Sequence, residues 1–364
     1  MTESPDSSRR EFLTGQSVRK ELLHQGDQLA DALLGEAPPA PPVASETVRL
    51  ETRAMACRWA VVLNPGPPRN MMVATDALDC VHIVEQILTV YRDNSDVALV
   101  NRTAGTAPAP VSEELFGFLQ TCQMYQEQTA GAFDPSAGTL IQLWRTARAA
   151  HQVPDAEQVA AALANSGFEH VTLDAEARTV FFQRPGLLLD FGSIGKGWAV
   201  DRAAAHVTQE QVADFLIHGG QSSILAAGDH NGHRGWPVGI KNPLFTDRRY
   251  ATILLRDQAM STSGSNVQYF RYGGRRYGHL LDPRTGWPAD EMLSVTVVAP
   301  TATQAEALST AFYVMGLDKA RRYCHDHPEV GAILIPPPSS TRKLAPVVCN
   351  IPSDQLFFDV ETPA

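Results

Sequence analysis

Leu189-Asp190-Phe191-Gly192-Ser193-Ile194-Gly195-Lys196-Gly197-Trp198-Ala199-Val200-Asp201 joins an apolar run to a helix through a glycine-rich turn. Leu187 to Asp190 reads as a strand, and Gly197 to Val207 as the helix that follows. Glycines let backbone approach a ligand closely, and a helix N-terminus offers unpaired N–H groups to an anion. The spacing is not that of a Walker A loop. Only two residues separate Gly192 from Gly195, and Gly197 stands where Ser or Thr would follow the lysine. On spacing alone, a phosphate site and a tight strand-to-helix turn are equally open readings.

Outward from this stretch, strands and helices are mixed without an internal repeat. Cys57 to Leu63 reads as a strand, and Thr75 to Tyr91 and Glu113 to Gln128 carry helical periodicity. His170 to Leu173 and Thr179 to Gln183 read as a hairpin, and Phe215 to His218 as another strand, with more strands up to Val298. Helices are predicted from Thr303 to Met315 and from Leu317 to His327, then a strand from Ala332 to Ile335. This order predicts an α+β fold of mixed sheets with packed helices rather than an alternating parallel sheet.

The chain has 364 residues, 30 Lys+Arg against 40 Asp+Glu, and a formal charge of −10. With 44% hydrophobic residues it can build a real core, and its length allows one large domain or two smaller ones. The acidic balance argues against nucleic acid as a partner, because binding a phosphate backbone needs a basic surface. No apolar run approaches the roughly 18 residues of a membrane span, so no transmembrane segment is expected. Five cysteines without a CxxC spacing imply neither a disulfide framework nor a zinc knuckle.

Residues 1–47 read as a flexible N-terminal arm, and residues 48–364 as the folded domain. Ser8-Arg9-Arg10-Glu11-Phe12-Leu13 resembles a twin-arginine export signal, but Arg19, Lys20, Glu21 and Asp27 interrupt the segment where an apolar stretch should follow. A cytoplasmic location is therefore expected, with twin-arginine export as the alternative. Glu36 to Val43 is proline-rich and reads as a semi-rigid linker.

Three further segments carry candidate chemistry. Ser261-Thr262-Ser263-Gly264 precedes Tyr277-Gly278-His279-Leu280-Leu281-Asp282-Pro283-Arg284-Thr285-Gly286-Trp287-Pro288, which sets a histidine just before a rigid turn. In Thr303-Gln304-Ala305-Glu306-Ala307-Leu308-Ser309-Thr310, Glu306 and Thr310 lie four apart and can offer oxygens to a hard cation such as Mg²⁺. Thr303 and Glu306 also have capping-box spacing, and on spacing alone the cap is the favoured reading. Gly131-Ala132-Phe133-Asp134-Pro135, with Ser95-Asp96 and Asn101 upstream, is either a site or a turn before a helix. Cys324-His325-Asp326-His327 reads as a helix end where cationic histidines suit the dipole.

Taken together and in order, these segments resemble the ApbE family, the FAD:protein FMN transferases. The resemblance is carried by Met55-Ala56-Cys57, Tyr91 with Ser95 to Asn101, Ala132 to Pro135, Asp190 to Asp201, His218-Gly219-Gly220, Trp236 to Pro243, Thr262-Ser263-Gly264, His279 to Pro288 and Ala305 to Gly316. It covers roughly residues 48–335 and implies a single domain of that fold. It also implies transfer of FMN from FAD to a threonine or serine of an acceptor flavoprotein, with release of AMP and dependence on Mg²⁺. A metal-dependent FAD pyrophosphatase and a catalytically impaired FAD-binding protein are the alternatives.

Carried over residue by residue, the resemblance places the Ser193 carbonyl, Glu306 and Thr310 on Mg²⁺. It places Met55, Tyr91, Ala132, Phe133, Asp134, Asp190, Lys196 and Leu281 around FAD, and His279 as the acid/base. The implied acceptor motif is of the type Asp/Ser-Gly-Ala-Thr/Ser. The chain departs from the family pattern at Glu306, where Asp is usual, and at Ser309, where many members carry a second Asp. It also departs at Gln221, where an acid often follows Gly-Gly, and at Cys57, where threonine is common.

Overall fold

A computed structural model describes residues 47–264, 268–338 and 344–359. The twin-arginine-like motif and the proline-rich segment lie outside the described residues. The first hairpin pairs β1 (Val48–Ala54) with β2 (Cys57–Leu63), turning through Met55 and Ala56, both at positive φ. Next comes helix α1 (Arg69–Leu88), whose buried Val73, Ala77, Val81, Val84 and Leu88 recur at helical spacing. It ends three residues earlier than its periodicity predicts, because Thr89 turns extended, and so Tyr91 lies in the loop beyond it.

Helix α2 (Asp96–Thr103), strand β3 (Ala109–Pro110), and helices α3 (Glu113–Gln128), α4 (Gly138–Ala149) and α5 (Ala156–Leu163) follow. Strands β4 (Val171–Asp174) and β5 (Thr179–Phe182) form the expected hairpin, with β5 also pairing β3. Leu187 to Asp190 is not a strand: it makes one isolated parallel bridge, Ala137 with Leu188. The reason is local. Asn101 takes both backbone groups of Leu189, accepting from its N–H at 2.8 Å and donating to its carbonyl at 2.9 Å, so a side chain replaces the strand partner. Helix α6 (Gly195–Gln209) then begins two residues earlier than predicted.

Strands β6 (Phe215–Gly219), β7 (Ser223–Ala227), β8 (Trp236–Lys241), β9 (Arg249–Leu255) and β10 (Gln258–Gly264) precede a small ribbon, β11 (Tyr269–Tyr272) with β12 (Arg275–Gly278). The remaining elements are β13 (Ser294–Ala299), α7 (Ala302–Met315), α8 (Leu317–Asp326), β14 (Gly331–Ile335), β15 (Val347–Cys349) and β16 (Leu356–Phe358). The main sheet has eight strands in the order β1-β2-β6-β7-β10-β13-β14-β15, every pair antiparallel. The expected α+β class is the observed one.

Both faces of this sheet are covered. Phe215 and Ile217 of β6 point into the core shared with α1, α6 and α7, while Leu216 points into a second core shared with the β16-β9-β8 sheet. That explains why β6 is buried at all five positions and shows no polar alternation. His218 sits on the second face, 8% exposed, with its Nε2 3.3 Å from an Arg49 nitrogen and its Nδ1 without a hydrogen-bond partner among the described residues. Burial and the Arg49 charge lower its pKa to about 4.

The folded state thus holds His218 neutral, and the unfolded chain takes up the proton first as pH falls. Stability is lost from about pH 6.5 downward to the folded pKa, by roughly 2–3 kcal/mol in total. Urea unfolding at pH 7 and pH 4 should show that loss in wild type. The loss should shrink by that amount in His218→Leu, and an equal acid sensitivity of the two proteins would refute the assignment.

Candidate active site

The N-terminus of α6 meets the N-terminal half of α7 at a glycine. A Cβ on Gly197 would lie 2.3 Å from the Ala302 carbonyl oxygen, so only glycine permits this approach. Asp201, one turn further on, accepts from the Ala302 N–H at 2.7 Å, the Thr303 N–H at 2.9 Å and the Thr303 hydroxyl at 2.5 Å. Burial raises its pKa, and these bonds oppose the rise. The true N-cap of α7 is Thr301, whose side chain accepts from the Gln304 N–H. The capping-box reading of Thr303 and Glu306 is therefore wrong. Asp201 and Thr301 take the donors, and Glu306 is released for another task.

Glu306 lies inside the helix, 4% exposed. One carboxylate oxygen receives the Lys196 ammonium and, at 3.1 Å, the Ser223 hydroxyl; the other receives the Gly197 N–H. One of the two readings open for this helix start, a phosphate site, is thus tied to the carboxylate that the family resemblance implies as a metal ligand. Hydroxyls line the same side. Ser309, fully buried, meets the Ser263 hydroxyl at 2.9 Å and donates to the Glu306 carbonyl at 3.0 Å, and the Thr310 hydroxyl lies 3.4 Å from Ser263. Ser193 stands in the turn just before the N-cap Ile194.

Asp190 receives the Gly192 N–H at 2.9 Å, and its second oxygen lies 3.8 Å from an Arg145 nitrogen. The Arg145 guanidinium stands over the Tyr91 ring, 5.0 Å from its centroid, and Tyr91 is 73% exposed. Asp190, Arg145 and Tyr91 thus form one wall. Met55 reaches the opposite side of the turn: its terminal methyl would sit 3.4 Å from a Cβ on Gly195. Its N–H is held by Glu85 at 2.7 Å.

His279 follows β12 directly and closes the base of the ribbon through a 3.1 Å contact between its Nδ1 and the Gln268 carbonyl. A carbonyl only accepts, so Nδ1 carries the hydrogen and Nε2 keeps a lone pair. Desolvation lowers the pKa of His279, the Gln268 carbonyl holds it up, and the charges of Arg148 and Lys196 press it further down.

The structure does not aim every predicted residue into this space. Ala132 and Phe133 are core residues, each 1% exposed, so they present backbone alone. Asp134 locks its own turn, accepting from the Ser136 N–H at 2.8 Å, the Ser136 hydroxyl at 2.5 Å and the Phe168 N–H at 3.2 Å. Leu281 bridges Pro288 and packs with Trp287 on a small cluster around Leu140. His327 stacks on Tyr323 and bonds its carbonyl, as a structural histidine should. Ser223, Arg145 and Arg148 were not foreseen. A lone serine or arginine carries no spacing signal, and only the antiparallel register of Ser223 with Ser261 brings it to the cluster.

One carboxylate ringed by hydroxyls is a hard oxygen donor set. It suits Mg²⁺, which is bound through one or two carboxylates and completes its shell with water and phosphate oxygens. Among the described residues no group of three or more His, Cys, Asp or Glu side chains stands ready to hold a metal alone. A cation here would need further oxygens from outside these side chains to complete its shell.

The sequence model of the ApbE family matches residues 55–334. The chain belongs to the ApbE family. Over 254 residues it is 34% identical to a FAD:protein FMN transferase of Klebsiella pneumoniae, covering 69% of this chain and 78% of that protein. A FAD:protein FMN transferase of Treponema pallidum is 33% identical over 282 residues, covering 73% of this chain and 78% of its own. The ApbE protein of Thermotoga maritima superposes with a TM-score of 0.75 at 28% identity, over 83% of this chain and 97% of that one. The Klebsiella and Treponema relatives are transferase enzymes, and so is this member of the ApbE family.

Proposed function

We propose that the chain transfers FMN from FAD to a threonine or serine hydroxyl of an acceptor flavoprotein, releases AMP, and depends on Mg²⁺. The observation that carries this reading is the contact of Lys196 and the Gly197 N–H with Glu306, which sets an anion-binding helix start beside a cation-binding carboxylate. A pyrophosphate needs both, and a chain with a net charge of −10 has no general positive field to offer it.

In this reading the FAD pyrophosphate lies across the turn Gly192 to Gly197, with the Lys196 ammonium, shared with Glu306, on its oxygens. Met55, Tyr91 and Asp190, with the backbone of Ala132 to Asp134 and Leu281, shape the remainder of the FAD site. Glu306, Thr310 and the Ser193 carbonyl would hold Mg²⁺, which supplies neutralisation of the charge that develops on the transferred phosphoryl group. His279 Nε2 takes the acceptor hydroxyl proton. The new bond joins the hydroxyl oxygen to the FMN-side phosphorus, the phosphoanhydride bond breaks, and the electron pair leaves with AMP.

Incubation with FAD, MgCl₂ and a protein bearing an Asp-Gly-Ala-Thr motif, followed by mass spectrometry, tests this. The expected product is the acceptor carrying one FMN less one water, with AMP in equal amount. Free FMN plus AMP would make the chain a pyrophosphatase, and unchanged FAD would make it a binding protein. The chain itself holds no such acceptor motif. Flavin on the purified protein should therefore be extractable, and fluorescence that survives denaturation would contradict this.

A further inference from the structure

The geometry points to the β11–β12 ribbon as the docking surface for an acidic, extended segment of the acceptor protein; this rests on the flavin-transfer reading and adds the chemistry of the partner. The ribbon turns through Gly273 and Gly274, both at positive φ, the geometry that matches strand twist in a two-residue hairpin. Phe270 and Tyr277 pair across it and pack against Trp144, with centroids at 6.4 Å and 5.9 Å, which fixes the inner face on α4. Its base is the contact between Gln268 and His279. The ribbon thus rises directly from the histidine that the proposed reaction uses.

The outer face gathers positive charge. Arg271 and Arg276 are cross-strand partners, and like charges directly opposite one another on a ribbon repel. Tyr269 lies between them, with one guanidinium 4.1 Å and the other 6.0 Å from its ring centroid. Arg275, exposed near the turn on the face it shares with Tyr277, lies 5.4 Å from that ring's centroid and 3.6 Å from an exposed Asp290. From Gln258 to Leu281 the sequence holds three arginines and no Asp or Glu, although the chain as a whole carries −10. Beside the ribbon lies a cavity of about 280 Å³, lined by Arg275, Arg276, Tyr277, Trp287 and Pro288 among others. Among the described residues β11 and β12 pair only with each other, so each has an outer edge able to receive an extended chain. An acidic strand laid there meets the positive charge of Arg271 and Arg275 and delivers its hydroxyl to the foot of the ribbon.

Three labelled synthetic peptides test this on the full chain loaded with FAD: Asp-Gly-Ala-Thr flanked by aspartates, by asparagines or by lysines. Fluorescence anisotropy should show the aspartate peptide binding about tenfold or more tightly than the asparagine peptide, with the advantage lost in high salt. The double variant Arg271→Glu/Arg275→Glu should reverse the preference toward the lysine peptide and leave FAD binding unchanged. Equal binding of all three peptides to wild type, a preference for the acidic peptide that survives reversal, or weakened FAD binding in the variant would each overturn the proposal. FMN transfer to any of the peptides would uphold the flavin-transfer reading independently of these results.

Discussion

Glu306→Ala is expected to abolish FMN transfer and to lower stability by about 3 kcal/mol, the low end for breaking a buried ion pair, because Lys196 is partly exposed. The Gly197 N–H and the Ser223 hydroxyl lose their acceptor in the same step. A capping glutamate would behave otherwise, costing about 0.5–2 kcal/mol and leaving activity intact. Glu306→Gln separates charge from shape. It keeps an acceptor oxygen for the Gly197 N–H and turns its NH2 to the Ser223 hydroxyl, which can accept, but it removes the anion, so most of the fold should survive while Mg²⁺-dependent activity does not. The readout besides activity is calorimetric titration of MgCl₂ in the presence of FAD, which should give heat with wild type and none with either variant. Glu306→Asp restores the residue usual in the resembled family and should keep or raise the rate. Wild-type turnover by Glu306→Ala would end the metal-site assignment.

The elements that packing dictates were legible, and those that side chains dictate were not. Helix α3 and the β4–β5 hairpin follow from periodicity and turn residues, and both stand where predicted. Leu187 to Asp190 has the composition of a strand, but Asn101, nearly ninety positions earlier in the chain, satisfies its backbone instead, and no local pattern announces that. The capping reading of Glu306 failed in the same way. The spacing with Thr303 is real, yet Asp201, from another helix, had already claimed the donors that a capping box would satisfy. In the site, each residue on the glycine turn or in the Glu306 helix was marked by a motif of its own. Ser223 and Arg145 enter only through strand register and helix packing, which join distant segments without leaving a spacing to read. Asp134 shows the converse: a motif residue whose carboxylate is consumed by its own turn.

His279→Ala should lower the single-turnover rate at saturating FAD by about 10²–10⁴-fold, the usual contribution of a general acid or base, with little change in FAD affinity. The pH dependence carries the sharper test. A base works when unprotonated, so the wild-type rate should rise with pH through the His279 pKa and level off above it. Desolvation with Arg148 and Lys196 puts that pKa below the ordinary value of about 6.5, so the limb should fall on the acidic side of it. In His279→Ala the limb should vanish. The Gln268 carbonyl fixes which nitrogen is free, and Asn at 279 offers one amide but no titrating lone pair; His279→Asn should keep the thermal stability of wild type and still lose the limb. A purely structural histidine gives the opposite pattern, in which stability and FAD binding fall together while the folded fraction turns over at the wild-type rate. An unchanged rate with an unchanged pH profile in either variant would show that the proton leaves by another route.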